Sequence, residues 1–363
     1  MHALSEFDSV KNMKALVLVE YNRFEIQNVP VPQIGPDDVL VRVKACAICG
    51  SDVHGMDGST GRRRPPVIMG HEASGVIEKA GANVRDWKPG DRVTFDSTIY
   101  CGSCEFCAEG KINLCNNRRV LGVSCEDYRQ HGAMAEFVAV PQRILYRLPD
   151  SLSFDHAAFV EPVSIAVHAA HRALGGAASC RPLNKTNGGR DAAAPSAAVV
   201  IGAGMIGLLQ IQVLRAYDCK RIIAVDVAHE KLAMAAKLGA TETINSKDCK
   251  ADFNADCAFE CVGISATVDL AMRSVRKGGT VTLVGNVSPK VEWPLQIAVT
   301  RELTIYGSCA SAGEYPECLD LMARGAVNVA PMISAVAPLA EGAKWFARLY
   351  KKEAALLKVI LTP

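Results

Sequence analysis

The sequence predicts an α/β chain in which a β-rich half precedes a doubly wound parallel sheet. Three observations carry this. From about residue 197 onward, apolar strand-like runs alternate with helical patterns, as β-α-β units require. Before that point, "MKALVLVE", "DVLVRVKAC", "PPVIMGHEASGVIEKAG" and "GDRVTF" are short strands broken by Pro and Gly, with no long helix between them. At 363 residues, the chain is also too long for one comfortable core, so two domains are expected.

The bulk composition narrows the function classes. With 49% hydrophobic and 21% charged residues, this is an ordinary globular composition. A formal net charge of +2 gives no reason to expect a nucleic acid or an anionic membrane as partner. The opening "MHALSEFDSVKN" has no apolar core and no cleavage site, so it does not read as a secretion signal. The longest nearly apolar run, Ala197 to Leu209, is too short and too glycine-rich to span a bilayer. A cytoplasmic protein is therefore expected. In that compartment the fourteen cysteines read as metal ligands or redox groups rather than disulfide staples.

The β-rich half carries the densest cluster. "CGSCEFCAEGKINLC" sets Cys101, Cys104, Cys107 and Cys115 into fifteen positions. Two-residue spacers let tight turns aim successive sulfurs at one centre, and Gly102 and Gly110 supply the backbone angles such a loop needs. Four thiolates suit a structural zinc, whose closed tetrahedral shell leaves no place for water. The lobe has little apolar content, so metal binding would supply much of its folding energy. An iron–sulfur cluster uses similar spacing and is the alternative. Neither assignment makes the lobe catalytic.

The second half opens with a dinucleotide-binding pattern. "AAVVI" reads as a strand, Gly202, Gly204 and Gly207 fit G-x-G-x-x-G, a helical pattern follows, and "RIIAVD" returns to a strand. Gly202 permits the tight turn, Gly204 lets the backbone approach a pyrophosphate at the helix N-terminus, and Gly207 lets helix and strand pack closely. Met205 and Ile206 lie between the last two glycines and belong to the same cofactor-binding turn. Asp226 lies 19 residues beyond Gly207 and can accept both ribose hydroxyls of NAD while repelling the extra phosphate of NADP. His229 and Lys231 are nearby cations, and Lys231 is counted with the cofactor-binding residues. Further strands are expected in "ADCAFECVG", "GTVTLVG" and "ELTIYGS". The aperiodic stretch from Gly175 to Ser196 reads as an exposed loop; its Asn184-Lys185-Thr186 acceptor pattern carries no weight in a cytoplasmic chain.

A second set of candidate ligands is scattered over "CAICGSDVHG", "GHEASG" and "FVEPVSIAVHAAHRAL": Cys49, His71, Glu72 and Glu161. None is persuasive alone. Together with the four-cysteine loop, "GAGMIG" and "TRELTIYGS", all in order, they carry a resemblance. From Met13 to Pro363 the chain resembles the zinc-dependent medium-chain dehydrogenases, and among them the polyol dehydrogenases related to sorbitol and galactitol dehydrogenase. The resemblance implies a catalytic zinc held by Cys49 and His71, with Glu72 ligating it or sitting just behind it, and Glu161 binding it directly or through water. The choice between the two carboxylates stays open. Liver-type alcohol dehydrogenases have a cysteine at the position of Glu161, which disfavours a simple ethanol dehydrogenase. Ser51 and His54 resemble the family's proton relay. Arg301 and Glu302 resemble a pair near the polyol-binding floor, with a domain-packing salt bridge as the plainer alternative for Arg301. Arg62, Arg63 and Arg64 read as a solvated basic loop in preference to a site for a sugar-alcohol phosphate.

The implied architecture is a GroES-like catalytic domain over 1–166 and 310–363, with the zinc lobe at 101–115, and a Rossmann NAD-binding domain over 167–309. The helical "GAKWFARLYKKEAAL" belongs to the returning stretch, the active site lies in the cleft between domains, and the twelve residues before Met13 form an extension without a catalytic part. The implied activity is oxidation of a secondary alcohol of a polyol to a ketose or ketone. Hydride passes to NAD, and the proton leaves through Ser51, the cofactor ribose and His54. Two zincs per chain and a homodimer or, preferably, a homotetramer are expected. An amino-alcohol enzyme such as L-threonine dehydrogenase, or a simple secondary-alcohol dehydrogenase, shares the metal plan. A non-catalytic binding protein on the same fold would have lost Cys49, His71 or the glycine turn, and all three are intact. A zinc-free quinone reductase would lack both metal sites.

Overall fold

The computed structural model describes residues 12–124, 129–175, 195–248, 252–354 and 356–363. The N-terminal extension and nearly all of the 175–196 loop, including its Asn-Lys-Thr pattern, lie outside the described residues. The chain divides into two compact units, 1–161 with 329–363, and 162–328.

The first unit is built on a seven-stranded sheet. Its central strand, Asp38–Ala47, pairs antiparallel with Glu72–Ala80 on one side and Lys358–Thr362 on the other. Phe137–Pro141 also pairs with Asp38–Ala47, and Arg92–Phe95, Leu145–Arg147 and Ile333–Pro338 complete the sheet. A three-stranded sheet of Asn12–Glu20, Arg23–Pro30 and Val67–Ile68 accompanies it. Strands rich in Val and Leu alternate or run continuously apolar, and their side chains merge in one core that includes Leu16, Leu18, Val41, Met69, Ile77, Phe95, Met134 and Leu361. At about 2 kcal/mol for each fully buried large apolar side chain, this core dominates the stability of the unit.

Two register facts place the chemistry. Ala47 sits opposite Glu72 on one neighbour and opposite Ile360 on the other. The Ile48 N–H donates to the carbonyl of Val359 at 2.9 Å. The residues just beyond these pairings, Cys49, His71 and Lys358, are thereby drawn to one end of the sheet.

The helical pattern near the C-terminus is shorter than expected. The helix Gly342–Tyr350 stops before "KKEAAL" because Lys352 takes a left-handed conformation, φ 52°. The N–H of Glu353 then reaches the carbonyl of Arg348, and that of Lys352 the carbonyl of Leu349, a Schellman closure with lysine in the usual glycine position.

The second unit is a six-stranded, wholly parallel sheet. Its order is Glu242–Asn245, Arg221–Asp226, Ala197–Ile201, Ala255–Glu260, Val275–Leu283, Thr304–Gly307. The chain runs outward in both directions from Ala197–Ile201, so the C-terminal end of that strand is the topological switch point where ligands bind in such folds. Sequence reading missed the strand Glu242–Asn245: three half-exposed residues and one exposed residue at a sheet edge show no apolar run. The helix Met205–Ala216 is buried at every position from Gly207 to Leu214, as befits a helix pressed between a sheet and further chain.

The chain enters this unit within the helix Val160–Gly175 and leaves it at 328. The stretch 310–328 stays with the second unit, later than the crossing at 309 set out above, because polar side chains tie it there. Glu314 accepts from His168 Nδ1 at 2.6 Å, from Ser311 Oγ at 3.0 Å and from the Ala312 N–H at 2.5 Å. Glu317, on the helix Tyr315–Ala323, pairs with His171 Nε2 at 3.1 Å and accepts from the Tyr217 hydroxyl. The Asn328 N–H donates to Gln212 Oε1 at 2.7 Å.

Candidate metal centres and cofactor turn

The four cysteines of the 101–115 lobe come together. Their sulfurs lie within 4.8 Å of one another. Cys101 and Cys107 sulfurs are 3.9 Å apart, and those of Cys104 and Cys107 are 3.5 Å apart. Metal–sulfur arms of about 2.3 Å meeting tetrahedrally give S···S edges of roughly 3.8 Å, so the spacing fits a zinc. Cys104 caps the one-turn helix Glu105–Ala108, and Gly102 and Gly110 both have positive φ, 82° and 75°. Backbone N–H groups point into the sulfurs. Those of Ser103 and Cys104, with the Ser103 hydroxyl, pull the Cys101 thiol down to about 5. The Asn116 N–H, followed by that of Cys107, lowers Cys104. Desolvation instead pushes Cys107 up to about 12. A bound dication would remove that opposition and let all four act as thiolates.

The second centre forms where the register predicts. Cys49 is the N-cap of the helix Gly50–Gly55, at the end of the central strand. His71 immediately precedes the neighbouring strand, which Glu72 begins, and a glycine must precede them. Gly70 has φ 98°, and a Cβ there would lie 2.7 Å from Cys46 Sγ and 2.9 Å from the Met134 nitrogen. One ligand atom from each of Cys49, His71 and Glu72 falls within a 4.8 Å group. Glu161 is outside that group but close enough to feel it. Burial above all, opposed by His71 and reinforced by Glu72 and Cys49, raises its carboxyl to about 8. Burial and then Glu72 likewise push the Cys49 thiol up to about 12. Anionic donors crowded into a desolvated spot are what a dication stabilises.

Partners fix these donors. Glu72 Oε2 accepts from Lys358 Nζ at 2.6 Å, and both side chains are buried. His71 Nδ1 faces Asp52 Oδ2 at 3.5 Å, which leaves Nε2 as the ligand atom. Ser51 lies on the exposed side of the short helix, with Oγ donating to Cys49 Sγ at 3.3 Å. His54 follows one turn later and is exposed. Of the three consecutive arginines, Arg62 and Arg64 are exposed, but Arg63 is only 3% exposed. Its guanidinium grips Asp52, so for Arg63 both the solvated-loop and the phosphate expectations are corrected. Sequence reading also missed Asp52 and Lys358. Asp52 stood inside the quoted "CGSDVHG", where a carboxylate three residues from a ligand cysteine was a signal. Lys358 had no local signal, being 286 residues from Glu72.

The glycine turn sits at the switch point of the parallel sheet. Gly202 follows Ala197–Ile201, and Gly204 caps the helix Met205–Ala216 with no side chain closing its first N–H groups. A Cβ at Gly204 would meet nothing within 4 Å, so the backbone stays open to a ligand. At Gly207 a Cβ would lie 1.8 Å from the Gly202 carbonyl oxygen, so only glycine fits. Met205 and Ile206 form the half-buried first turn. Asp226 is held by two N–H donors, Ala203 to Oδ2 at 2.7 Å and Ala228 to Oδ1 at 3.0 Å. Each oxygen keeps a lone pair for a ribose hydroxyl. This open, uncapped turn with a positioned carboxylate fits a dinucleotide. Lys231 lies half-buried on the helix His229–Lys237. Arg301 caps the helix Leu295–Thr300, and its guanidinium donates to the carbonyl of Val275, while Glu302 takes φ 50°.

Comparison with known proteins agrees with this geometry. Residues 35–150 match the alcohol dehydrogenase GroES-like domain, and residues 206–324 match the zinc-binding dehydrogenase family. A sorbitol dehydrogenase of Arabidopsis thaliana is 35% identical over 89% of this chain and 87% of its own. The chain belongs to the zinc-dependent medium-chain dehydrogenases. A sorbitol dehydrogenase of Bacillus subtilis (strain 168) is 33% identical to this dehydrogenase, covering 97% of this chain and 98% of its own. The crystal structure of galactitol-1-phosphate dehydrogenase from Escherichia coli superposes with a TM-score of 0.85 at 26% identity, covering 97% of this chain and 100% of that one. The dehydrogenase is thus an oxidoreductase of the CH–OH class on a GroES-like plus Rossmann architecture. No helix among its described residues is long and apolar enough to cross a membrane.

Proposed function

We propose that this dehydrogenase oxidises a secondary hydroxyl of a polyol to a ketose or ketone, with NAD as hydride acceptor. The observation that carries the reading is the convergence of Cys49, His71 and Glu72 within 4.8 Å, with Glu72 held by buried Lys358. These residues would hold the catalytic zinc, with Glu161 as the further carboxylate. Cys101, Cys104, Cys107 and Cys115 would hold a structural zinc, and the 202–207 turn with Asp226 would hold NAD. Zinc supplies Lewis acidity toward the substrate hydroxyl and NAD the two-electron chemistry. Ser51 Oγ receives the hydroxyl proton, and His54, exposed one turn on, delivers it to water. Lys358 holds the Glu72 carboxylate in place, while Asp52 orients His71. Asp226 favours NAD over NADP through charge and through its two fixed oxygens.

The curated relatives named above act on sorbitol, and the solved neighbour on galactitol 1-phosphate. Burial of Arg63 leaves only Arg62 and Arg64 on the exposed face of the arginine run, which supports an unphosphorylated substrate. A homo-oligomer, either dimer or tetramer, is supported by Val287, Leu295 and Val299, exposed by 63%, 62% and 65%. The cytoplasm is supported by the grouping of Cys101, Cys104, Cys107 and Cys115 at metal-binding distances.

The test is NAD reduction followed at 340 nm against sorbitol, galactitol, xylitol, ribitol, their phosphates, L-threonine, 2,3-butanediol and simple secondary alcohols. Each is run with and without a zinc chelator. Chelator-sensitive turnover of an unphosphorylated polyol is expected. Turnover confined to L-threonine, or turnover indifferent to the chelator, would overturn the reading.

A further inference from the structure

We propose that Arg63 is a positioning residue for the catalytic metal site, fixing the His71 imidazole through Asp52 and the relay hydroxyl through Ser51. The proposal rests on the reading of Cys49, His71 and Glu72 as zinc ligands. Arg63 is 3% exposed and Asp52 is 0% exposed, so their pairing is sheltered from water. Arg63 Nε and Nη2 both donate to the same oxygen, Asp52 Oδ1, at 3.0 and 2.8 Å. That leaves Oδ2 facing His71 Nδ1, and neither of these two buried atoms has another hydrogen-bond partner. A fork grip on both oxygens would instead have put a competing donor on the oxygen that His71 faces. Nη2 also donates to Ser51 Oγ at 3.3 Å, and Nη1 to the Arg62 carbonyl at 3.2 Å, so the guanidinium plane is held at both ends.

The local sequence makes room for this. Gly55, the last residue of the short helix, would place a Cβ 2.7 Å from Arg63 Cγ. The second glycine of "CGSDVHG", Gly55, is therefore the floor on which the arginine stem lies. Lysine could neutralise Asp52 but could not send two donors to one oxygen and a third to Ser51. A buried ion pair that only pinned the 56–66 stretch to the helix would be equally compatible with burial, but it would have no reason to leave one oxygen for His71.

Zinc release separates these roles. Zinc-loaded wild type, Arg63→Met, Arg63→Lys and Gly55→Ala are challenged with a chelator, with circular dichroism showing that each is folded. Cys49→Ala, which keeps only the four-cysteine zinc, identifies the phase belonging to that lobe. We expect Arg63→Met to release its other zinc about 10- to 100-fold faster than wild type, the usual size of such outer-shell effects, with the lobe phase unmoved. Arg63→Lys and Gly55→Ala should fall between, and they decide the matter by the same criterion if Arg63→Met does not fold. A lowered melting temperature with an unchanged release rate would overturn the role of Arg63. Wild type holding one zinc, in the lobe, would overturn the underlying metal reading instead.

Discussion

Raising the pH from 6 to 9.5 should loosen the second unit through one histidine. His171 lies between Glu314 and Glu317, with Nδ1 3.8 Å from the first and Nε2 3.1 Å from the second. Burial works against its charge, but the two carboxylates win and hold its pKa up to about 9 against an ordinary 6.5. A raised folded-state pKa stabilises fully below the unfolded value and is lost as pH climbs through the folded one. The contribution of His171 is thus complete below pH 6.5 and gone above about 9. Taken at face value the shift is worth roughly 3 kcal/mol. The side chain is 41% exposed, however, so solvent screening reduces this to about 1 kcal/mol. On a unit of this size that moves the melting temperature by about 3 °C. Glu314 and Glu317 are both held below the carboxylate range, opposed by desolvation and lowered first by His168 and by His171 respectively. Their contribution is present above pH 4.5 and lost below it, so the cluster is most stabilising between about 4.5 and 6.5. Tyr217 is pushed up, chiefly by burial, so its loss of a proton lies beyond the range tested. The assay is thermal melting of wild type and His171→Asn from pH 5.5 to 9.5. The wild-type advantage should be about 3 °C at pH 6 and close to zero at pH 9.5. An advantage that stays constant across that range would refute the reasoning.

Lys358→Met should leave Glu72 as a lone buried carboxylate and cost about 3 kcal/mol in zinc-free protein, less with zinc bound; melts with and without chelator measure the difference. Asp226→Ala removes the acceptor of the Ala203 and Ala228 N–H groups, so the KM for NAD should rise about 10- to 100-fold and the preference over NADP should narrow, read from steady-state kinetics with both cofactors. Cys104→Ser should lower bound zinc from about two per chain to about one, leave NAD binding intact and open the 101–115 lobe to proteolysis, checked by elemental analysis and limited digestion.

What the sequence disclosed and what it hid divide along range. The four cysteines, the glycine turn and Asp226 are short-range patterns: their spacing alone sets which atoms can meet, and the sulfurs and the Asp226 carboxylate lie where that spacing asks. Cys49, His71 and Glu72 are visible in the sequence only through the family resemblance that the order of motifs carries, since nothing local brings residue 49 to residue 71. The sheet does that, by pairing Ala47 with Glu72. The partners that make these ligands usable were hidden for the same reason in stronger form. Lys358 reaches Glu72 only because the C-terminal strand returns to pair with the central one, placing Ile360 opposite Ala47. Arg63 was misread because charge in a run of arginines argues for solvent, and only the absence of a Cβ at Gly55 opens the interior to one of them. The edge strand Glu242–Asn245 was lost to the opposite cause, too little buried surface to leave a periodic trace. A buried cation beside a ligand thus has no sequence signature of its own. It follows from strand register and from a missing side chain, and both Lys358 and Arg63 are legible only after the fold has said which strand ends meet.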